Sequence, residues 1–205
     1  EKLAIKTKAD ADKLVAQLQK EGGHLATPEQ KEMLRKAMWD GERHRTVETV
    51  AIAPQALAKI AGFEIPADRK FIMVHGDGIG KEHHFSGEKL TTLLALYKYE
   101  SFDQALAMMR GVYEVGGKGH SCGIYSFDPD HVHRLAMAAP VSRIMVRQPQ
   151  SKANAGAFNN GMPMTSSLGC GTWGGNIISE NVHLKHYMNT TWVSVPIKED
   201  KPSDE

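Results

Sequence analysis

A chain of 205 residues is long enough for one substantial domain, and its charges nearly cancel, with 25 Lys and Arg against 24 Asp and Glu. That balance argues against nucleic acid or a membrane surface as a partner, because both are bound through a concentrated positive field. No apolar run approaches the roughly 18–20 residues of a membrane span. The opening EKLAIKTKADADKL lacks the apolar centre of a signal peptide, and the two cysteines, Cys122 and Cys170, form no CxxC or CxxH pair for zinc. A cytoplasmic protein without a metal site is expected, and the first residues read as the middle of a longer polypeptide.

Ala11, Leu14, Val15 and Leu18 recur at helical spacing, which predicts a helix over residues 9–20 that stops at Gly22-Gly23. Thr27-Pro28-Glu29-Gln30 supplies an N-cap, a first-turn proline and a capping-box glutamine for a second helix reaching Trp39. Residues 41–49 are polar and expected on the surface. PQALAKIA, residues 54–61, reads as a short helix with Leu57 and Ile60 inward, stopped by Gly62. KFIMVH, residues 70–75, is a continuous apolar run of strand length, as a strand buried on both faces requires. A glycine-containing loop and a second apolar stretch over residues 90–97 follow.

The helix expected over residues 101–115 has Ser101 as cap, Gln104 closing the box, and Phe102, Leu106, Met109 and Val112 or Tyr113 as its buried stripe. Then come a strand over 121–127, a helix over 130–139 and a strand over 142–146. Strands alternating with helices point to an α/β fold with a mostly parallel sheet and helices on both faces. Residues 148–167 are rich in Asn, Gly, Ser, Met and Pro and read as a long irregular loop. TTWVSVPI, residues 190–197, is the last strand candidate, before a charged tail.

Several groups could carry chemistry. Gly76-Asp77-Gly78-Ile79-Gly80 follows a strand, but a dinucleotide fingerprint would need glycine at Lys81 and a helix opening there. His83-His84 beside Glu82 lack a third metal ligand nearby in sequence. Glu88, ahead of an apolar run, is either a cap or a ligand contact. His120 in GGKGHSCGIYS is either a structural histidine or a proton-transfer group suited to neutral pH. Cys170 lies in SSLGCGTWGGNIISENVHLKH, where a thiol in a glycine loop is either packed or activated; Cys122, inside a strand, reads as core.

These segments carry a resemblance. LGCGTWGGNIISENVHLKH is similar to a signature of the CoA-acylating aldehyde dehydrogenases, a branch of the aldehyde dehydrogenase superfamily. AGFEIP before the KFIMV strand, FSGEKLTTLLALYKYESFDQAL, GGKGHSCGIYS and SRIMVRQPQ fall in that family's order and spacing, so the resemblance spans nearly the whole chain. Within the family, VSRIMVRQPQSKANAGAFNNGMPMTSSLGCGTWGGN most resembles the branch acting on sulfoacetaldehyde.

The resemblance implies oxidation of a small aldehyde by NAD or NADP through a cysteine thioester, with coenzyme A as acyl acceptor. Residue by residue, it implies a nicotinamide-ribose contact at Glu88 and an active-site histidine at His120. It also implies a cleft lined by Gly169, Cys170, Gly171, Thr172 and Trp173. The nucleophilic cysteine of the family's C-x-S-E motif would precede Glu1, so residues 1–189 are expected to be a catalytic-domain portion, inactive alone. Residues 190–205 are expected to form an oligomerisation strand and tail that joins a second copy of the chain. If the substrate carries a sulfonate, Arg147, Lys152 and the Asn-rich segment 154–160 are candidate donors. Two other readings stay open: a non-catalytic assembly module of the same fold, and a hydrolase using Cys170 with His120 or His183.

Overall fold

The computed structural model describes residues 3–199. Its first half is a parallel sheet of four strands in the order β1-β4-β3-β2, where β1 is Leu3–Thr7, β2 Gly23–Leu25, β3 Phe71–His75 and β4 Leu93–Tyr99. Register places Ile72 beside Leu93 and Val74 beside Ala95, while Leu3 to Thr7 run along Ala95 to Tyr99. Helix α1 (Lys8–Lys20) connects β1 to β2, and α2 (Pro28–Met38) and α3 (Pro54–Ala61) lie between β2 and β3.

Alternation along β3 assigns its two faces. Ile72 and Val74 pack with Leu34 and Met38 of α2, Leu57 and Ala58 of α3, and Leu93, Ala95 and Tyr97 of β4. Met73 turns the other way, toward α1, where its methyl group and the Leu18 carbonyl both crowd Gly23. Ile72, Met73 and Val74 have no exposed surface at all, so this strand is covered on both sides. The cap of α2 follows the expected pattern: Thr27 Oγ1 accepts from the Gln30 N–H at 3.2 Å, and Gln30 Oε1 accepts from the Thr27 N–H at 3.1 Å.

The second half is smaller. Helix α4 (Phe102–Gly116) leads to β5 (Cys122–Ile124), then α5 (Pro129–Ala138) and β6 (Ile144–Val146), with β5 and β6 forming a separate parallel pair. Helix α4 serves both halves. Met108 packs on the large core, and Met109 and Tyr113 pack with Leu135 and Ala139 on the small one. A short helix α6 (Gln150–Ala153) opens the irregular segment, which otherwise has no regular structure until the single turns Thr172–Gly174 and Leu184–Tyr187.

Three expectations are corrected, and the last strand candidate stands without a partner strand. The parallel strands form two sheets, not one, because α4 stands between them with apolar residues on two faces. The capping box of α4 is displaced by a residue: Ser101 accepts from the Gln104 N–H, but Gln104 Oε1 accepts from the Glu100 N–H at 2.7 Å. Residues 41–49 are not wholly a surface run, since Thr49 is buried in a short turn, tied to Thr46 and Arg45. Residues 190–197 pair with no strand among the described residues, and Trp192, Val193, Val195 and Ile197 stand exposed. A segment without a neighbouring strand has no ladder to satisfy its backbone groups. The last six residues of the tail lie outside the described residues.

Leu57 and Ile60 test the placement of α3, because the sequence pattern turns both inward whereas Leu57 is fully buried and Ile60 is 48% exposed. Leu57→Ala is expected to cost about 2–5 kcal/mol and Ile60→Ala less than about 0.5 kcal/mol in urea unfolding. Equal losses would contradict the observed rotation of the helix.

Candidate active site

Helix α4 ends at Gly116, and the chain turns through Gly117 and Gly119, at φ of 92° and 104°, to reach His120 at the start of β5. Gly119 donates to Pro140 O at 2.8 Å and accepts from the Ser142 N–H at 2.9 Å, fixing this turn against the segment before β6. A Cβ at position 119 would lie 2.7 Å from both Cβ and O of Cys170 and 2.8 Å from Gly174 N. Glycine is therefore required here by the approach of the 169–175 turn, as well as by its φ.

That turn is built from its own polar groups. Asn176 Oδ1 accepts from the N–H groups of Cys170 and Gly171 at 3.1 and 3.0 Å, and the Gly171 N–H donates to Ile178 O at 2.8 Å. Arg143, 4% exposed, reaches it from below: Nη2 donates to Gly169 O at 2.7 Å, and Nη1 to Asn181 Oδ1 at 3.5 Å. Asn181, also buried, donates onward to Asn154 O and Pro163 O. Burial lowers the Arg143 pKa from its ordinary value, and the adjoining Cys170 thiol acts in the opposite direction. Thr172 and Trp173 project outward, with Trp173 55% exposed.

Glu88 arrives from the large-sheet half. Its backbone is held by its neighbour Lys89, whose buried ammonium donates to the carbonyls of Phe85 and Gly87 at 3.1 and 2.7 Å. Arg45 Nη2 donates to Lys89 O at 2.9 Å. Gly87 lies against Val115 near the end of α4, so the same helix end positions Glu88 and His120. The Glu88 carboxylate is exposed and close enough for its charge to act on the His120 ring. Burial, then Arg143, lower the His120 pKa, and Glu88 opposes them. His120, Glu88 and the Gly169–Trp173 segment are thus brought together.

Arg147 is not. The parallel register pairs Cys122 with Ile144 and Ile124 with Val146, so His120 and Arg147 occupy opposite ends of β5 and β6. Arg147, at φ 51°, donates through Nη1 to Ser126 O at 2.7 Å and stacks over Phe127. Of the other sulfonate candidates, Lys152 is exposed on α6, while Asn154 is buried in the polar network under the turn. The arginine at the turn is Arg143, which the sequence reading missed. The available signal was the alternation of the strand expected over 142–146, which sets Arg143 on the same face as Met145; both are buried, with Arg143 just ahead of β6.

The other sequence candidates have packing explanations. A Cβ at Gly76 would strike the Tyr97 ring, and the Tyr97 hydroxyl donates to Gly78 O at 3.2 Å, so the glycines of 76–80 accommodate a side chain. The loop does border a cleft of about 750 Å³ at the carboxyl ends of β3 and β4, with Asp77, Tyr97, Lys98 and Gln104 in its wall. Among the described residues no group of three or more His, Cys, Asp or Glu side chains could hold a metal ion. The His183 backbone N–H donates to His186 Nδ1 at 3.0 Å across a single turn, and the two rings meet edge to face.

Burial pushes the Cys122 thiol up to about 11, against a weaker opposing hydrogen bond from Tyr113. Its thiolate fraction at pH 7 is then on the order of one in ten thousand. Iodoacetamide at neutral pH is expected to leave Cys122 unmodified by peptide mass analysis while glutathione in the same tube reacts fully. Stoichiometric labelling of Cys122 would contradict its raised pKa.

No family model matches the sequence. A sulfoacetaldehyde dehydrogenase of Acholeplasma sp. is 37% identical over 95% of this chain and 41% of its own length. A succinate-semialdehyde dehydrogenase (acetylating) of Clostridium kluyveri is 33% identical over 98% of this chain and 44% of its own length. In structure, an acetylating aldehyde dehydrogenase from Geobacillus thermoglucosidasius superimposes with a TM-score of 0.90, at 30% identity, over 98% of this chain and 44% of that one. This chain spans less than half the length of the curated relatives it matches. Similarity in sequence and in fold runs along almost all of its residues, so the chain is similar throughout to one part of the acylating aldehyde dehydrogenases.

Proposed function

We propose that this chain forms part of the reaction cleft of an NAD(P)-dependent, CoA-acylating aldehyde dehydrogenase, and that its aldehyde is sulfoacetaldehyde. The observation that carries the reading is the convergence of Glu88, His120 and the Gly169–Trp173 turn, contributed by separate elements, at one end of α4. The similarity to a sulfoacetaldehyde dehydrogenase supports the choice of substrate. In this reading the attacking thiolate comes from residues outside these 205, as the resemblance implies; Cys122 is half-buried with its pKa raised, and Cys170 packs against Gly119 and Gly174.

In this reading residues 1–189 are a catalytic-domain portion working in the cytoplasm. Bound NAD(P)+ would accept the hydride, and coenzyme A the acyl group. The residues present fit those ligands: an exposed carboxylate at Glu88 suits a ribose hydroxyl, and the outward Thr172 and Trp173 suit the wall of a cleft. Glu88 binds the cofactor, the turn shapes the acyl site, and His120 donates a hydrogen bond or moves a proton during acyl transfer. The discriminating experiment is CoA-dependent reduction of NAD+ or NADP+ by the longest natural polypeptide containing this chain. Sulfoacetaldehyde is expected to give the highest kcat/KM, above succinate semialdehyde and acetaldehyde. Equal rates would discard the sulfonate preference, and turnover independent of CoA would discard the acylating reading.

The segment 190–197 completes the proposal. Trp192, Val193, Val195 and Ile197 are exposed on an unpaired segment of strand length, which as a free apolar stretch is an aggregation hazard and as an arm would suit the open edge of a second copy's sheet. Deleting residues 190–199 is expected to lower the oligomeric mass in native mass spectrometry. An unchanged assembly would remove the arm from the interface.

A further inference from the structure

His120 Nδ1 stands 2.6 Å from the Oγ of Ser121, whose side chain is 1% exposed. Gln150 Nε2 lies 2.9 Å from that Oγ and 3.1 Å from the Ser121 carbonyl oxygen. A carbonyl only accepts, so the Gln150 atom facing it must be the NH2 nitrogen, which then donates to the hydroxyl as well. Asn154 Nδ2 adds a longer donation to the same Oγ at 3.4 Å. The Tyr113 hydroxyl donates to the Ser121 carbonyl at 2.9 Å, holding the backbone beneath. With both lone pairs of the hydroxyl receiving protons, its own hydrogen has one partner, the His120 ring.

From this we infer that the Ser121 hydroxyl, oriented by Gln150 and Asn154, donates to His120 Nδ1 and keeps the imidazole proton on Nε2. The opposite arrangement would make Nδ1–H a third donor to one oxygen and strand the Ser121 hydrogen in a buried site. Among the described residues His120 makes no other hydrogen bond, which leaves Nε2–H as the group available to a ligand. Ser121, Gln150 and Asn154 are positioning residues. Resting on the functional reading above, the inference assigns His120 a role as hydrogen-bond donor to the acyl oxygen through Nε2, not as the base that takes the CoA thiol proton there. The charged groups facing the ring act in the same sense or against it: Arg143 from the segment before β6 disfavours the imidazolium, and Glu88 favours it.

The test is histidine-selective 15N NMR of the full chain, with His120 assigned by the resonance lost in His120→Gln. The neutral ring is expected to show a bare Nδ1 and a protonated Nε2, with a titration midpoint below that of an unperturbed histidine. Ser121→Ala and Gln150→Ala are each expected to raise that midpoint and to admit the Nδ1–H tautomer. Gln150 is only half-buried, so its variant serves if Ser121→Ala does not fold. A wild-type ring carrying its proton on Nδ1, or a midpoint unmoved in the folded variants, overturns the inference. Because no turnover is read, failure here is separable from failure of the acylation assay: an Nε2–H ring in a protein without CoA-dependent activity would fault the functional reading alone.

Discussion

No side chain fits at position 119, and much of the candidate site follows from that. The turn before His120 and the turn through Cys170 and Gly174 meet with their backbones almost in contact, at a separation a single Cβ would close. One turn begins at the end of α4 and the other follows a long irregular segment, so their meeting joins stretches about fifty residues apart. Whatever holds the second turn in place therefore determines the shape of the surface beside His120.

The holding is done by polar groups that are buried or half-buried, three of them cations that donate to backbone carbonyls. Arg143 donates to the Gly169 carbonyl and the Asn181 amide, Lys89 to the Phe85 and Gly87 carbonyls, and Arg45 to carbonyls of Met38, Thr49 and Lys89, while the buried Nε of each arginine makes no hydrogen bond among the described residues. A buried charge is costly unless its hydrogen bonds are made, and a partner left unpaired costs about 1–3 kcal/mol. Arg143 and Arg45 bridge segments distant in sequence and Lys89 closes its own loop, so the same bonds that offset their desolvation also set loop geometry. Around Ser121 the arrangement is uncharged, with Gln150 and Asn154 donating to its hydroxyl and Gln150 and Tyr113 to its carbonyl.

Helix α4 connects this polar region to the two apolar cores. Its Met108 and Met109 are adjacent in sequence yet belong to different clusters, which is possible because successive residues on a helix point about 100° apart. The helix end that delivers His120 also supports Gly87, and through it the backbone of Glu88. A helix shared between a four-stranded sheet and a two-stranded one thus brings together side chains that neither half holds alone.

The sequence by itself determined the elements and the identity of most candidate residues. Capping at Thr27 and Ser101, the apolar run of β3 and the glycine stops of α3 and α4 are local features, encoded within a few residues. So was the resemblance carried by GGKGHSCGIYS and the Cys170 turn, since motifs are contiguous. Tertiary structure decided which inward-looking residues are buried, Leu57 but not Ile60, because neighbours from β3 and β4 cover only part of the apolar stripe. It separated Arg147 from His120 through the register of β5 and β6, and it put Arg143 under the turn instead. It also gathered Ser121, Gln150 and Asn154 into one network. Hydrogen-bond partners and charge neighbours are chosen by position in space, and a linear pattern carries no record of them.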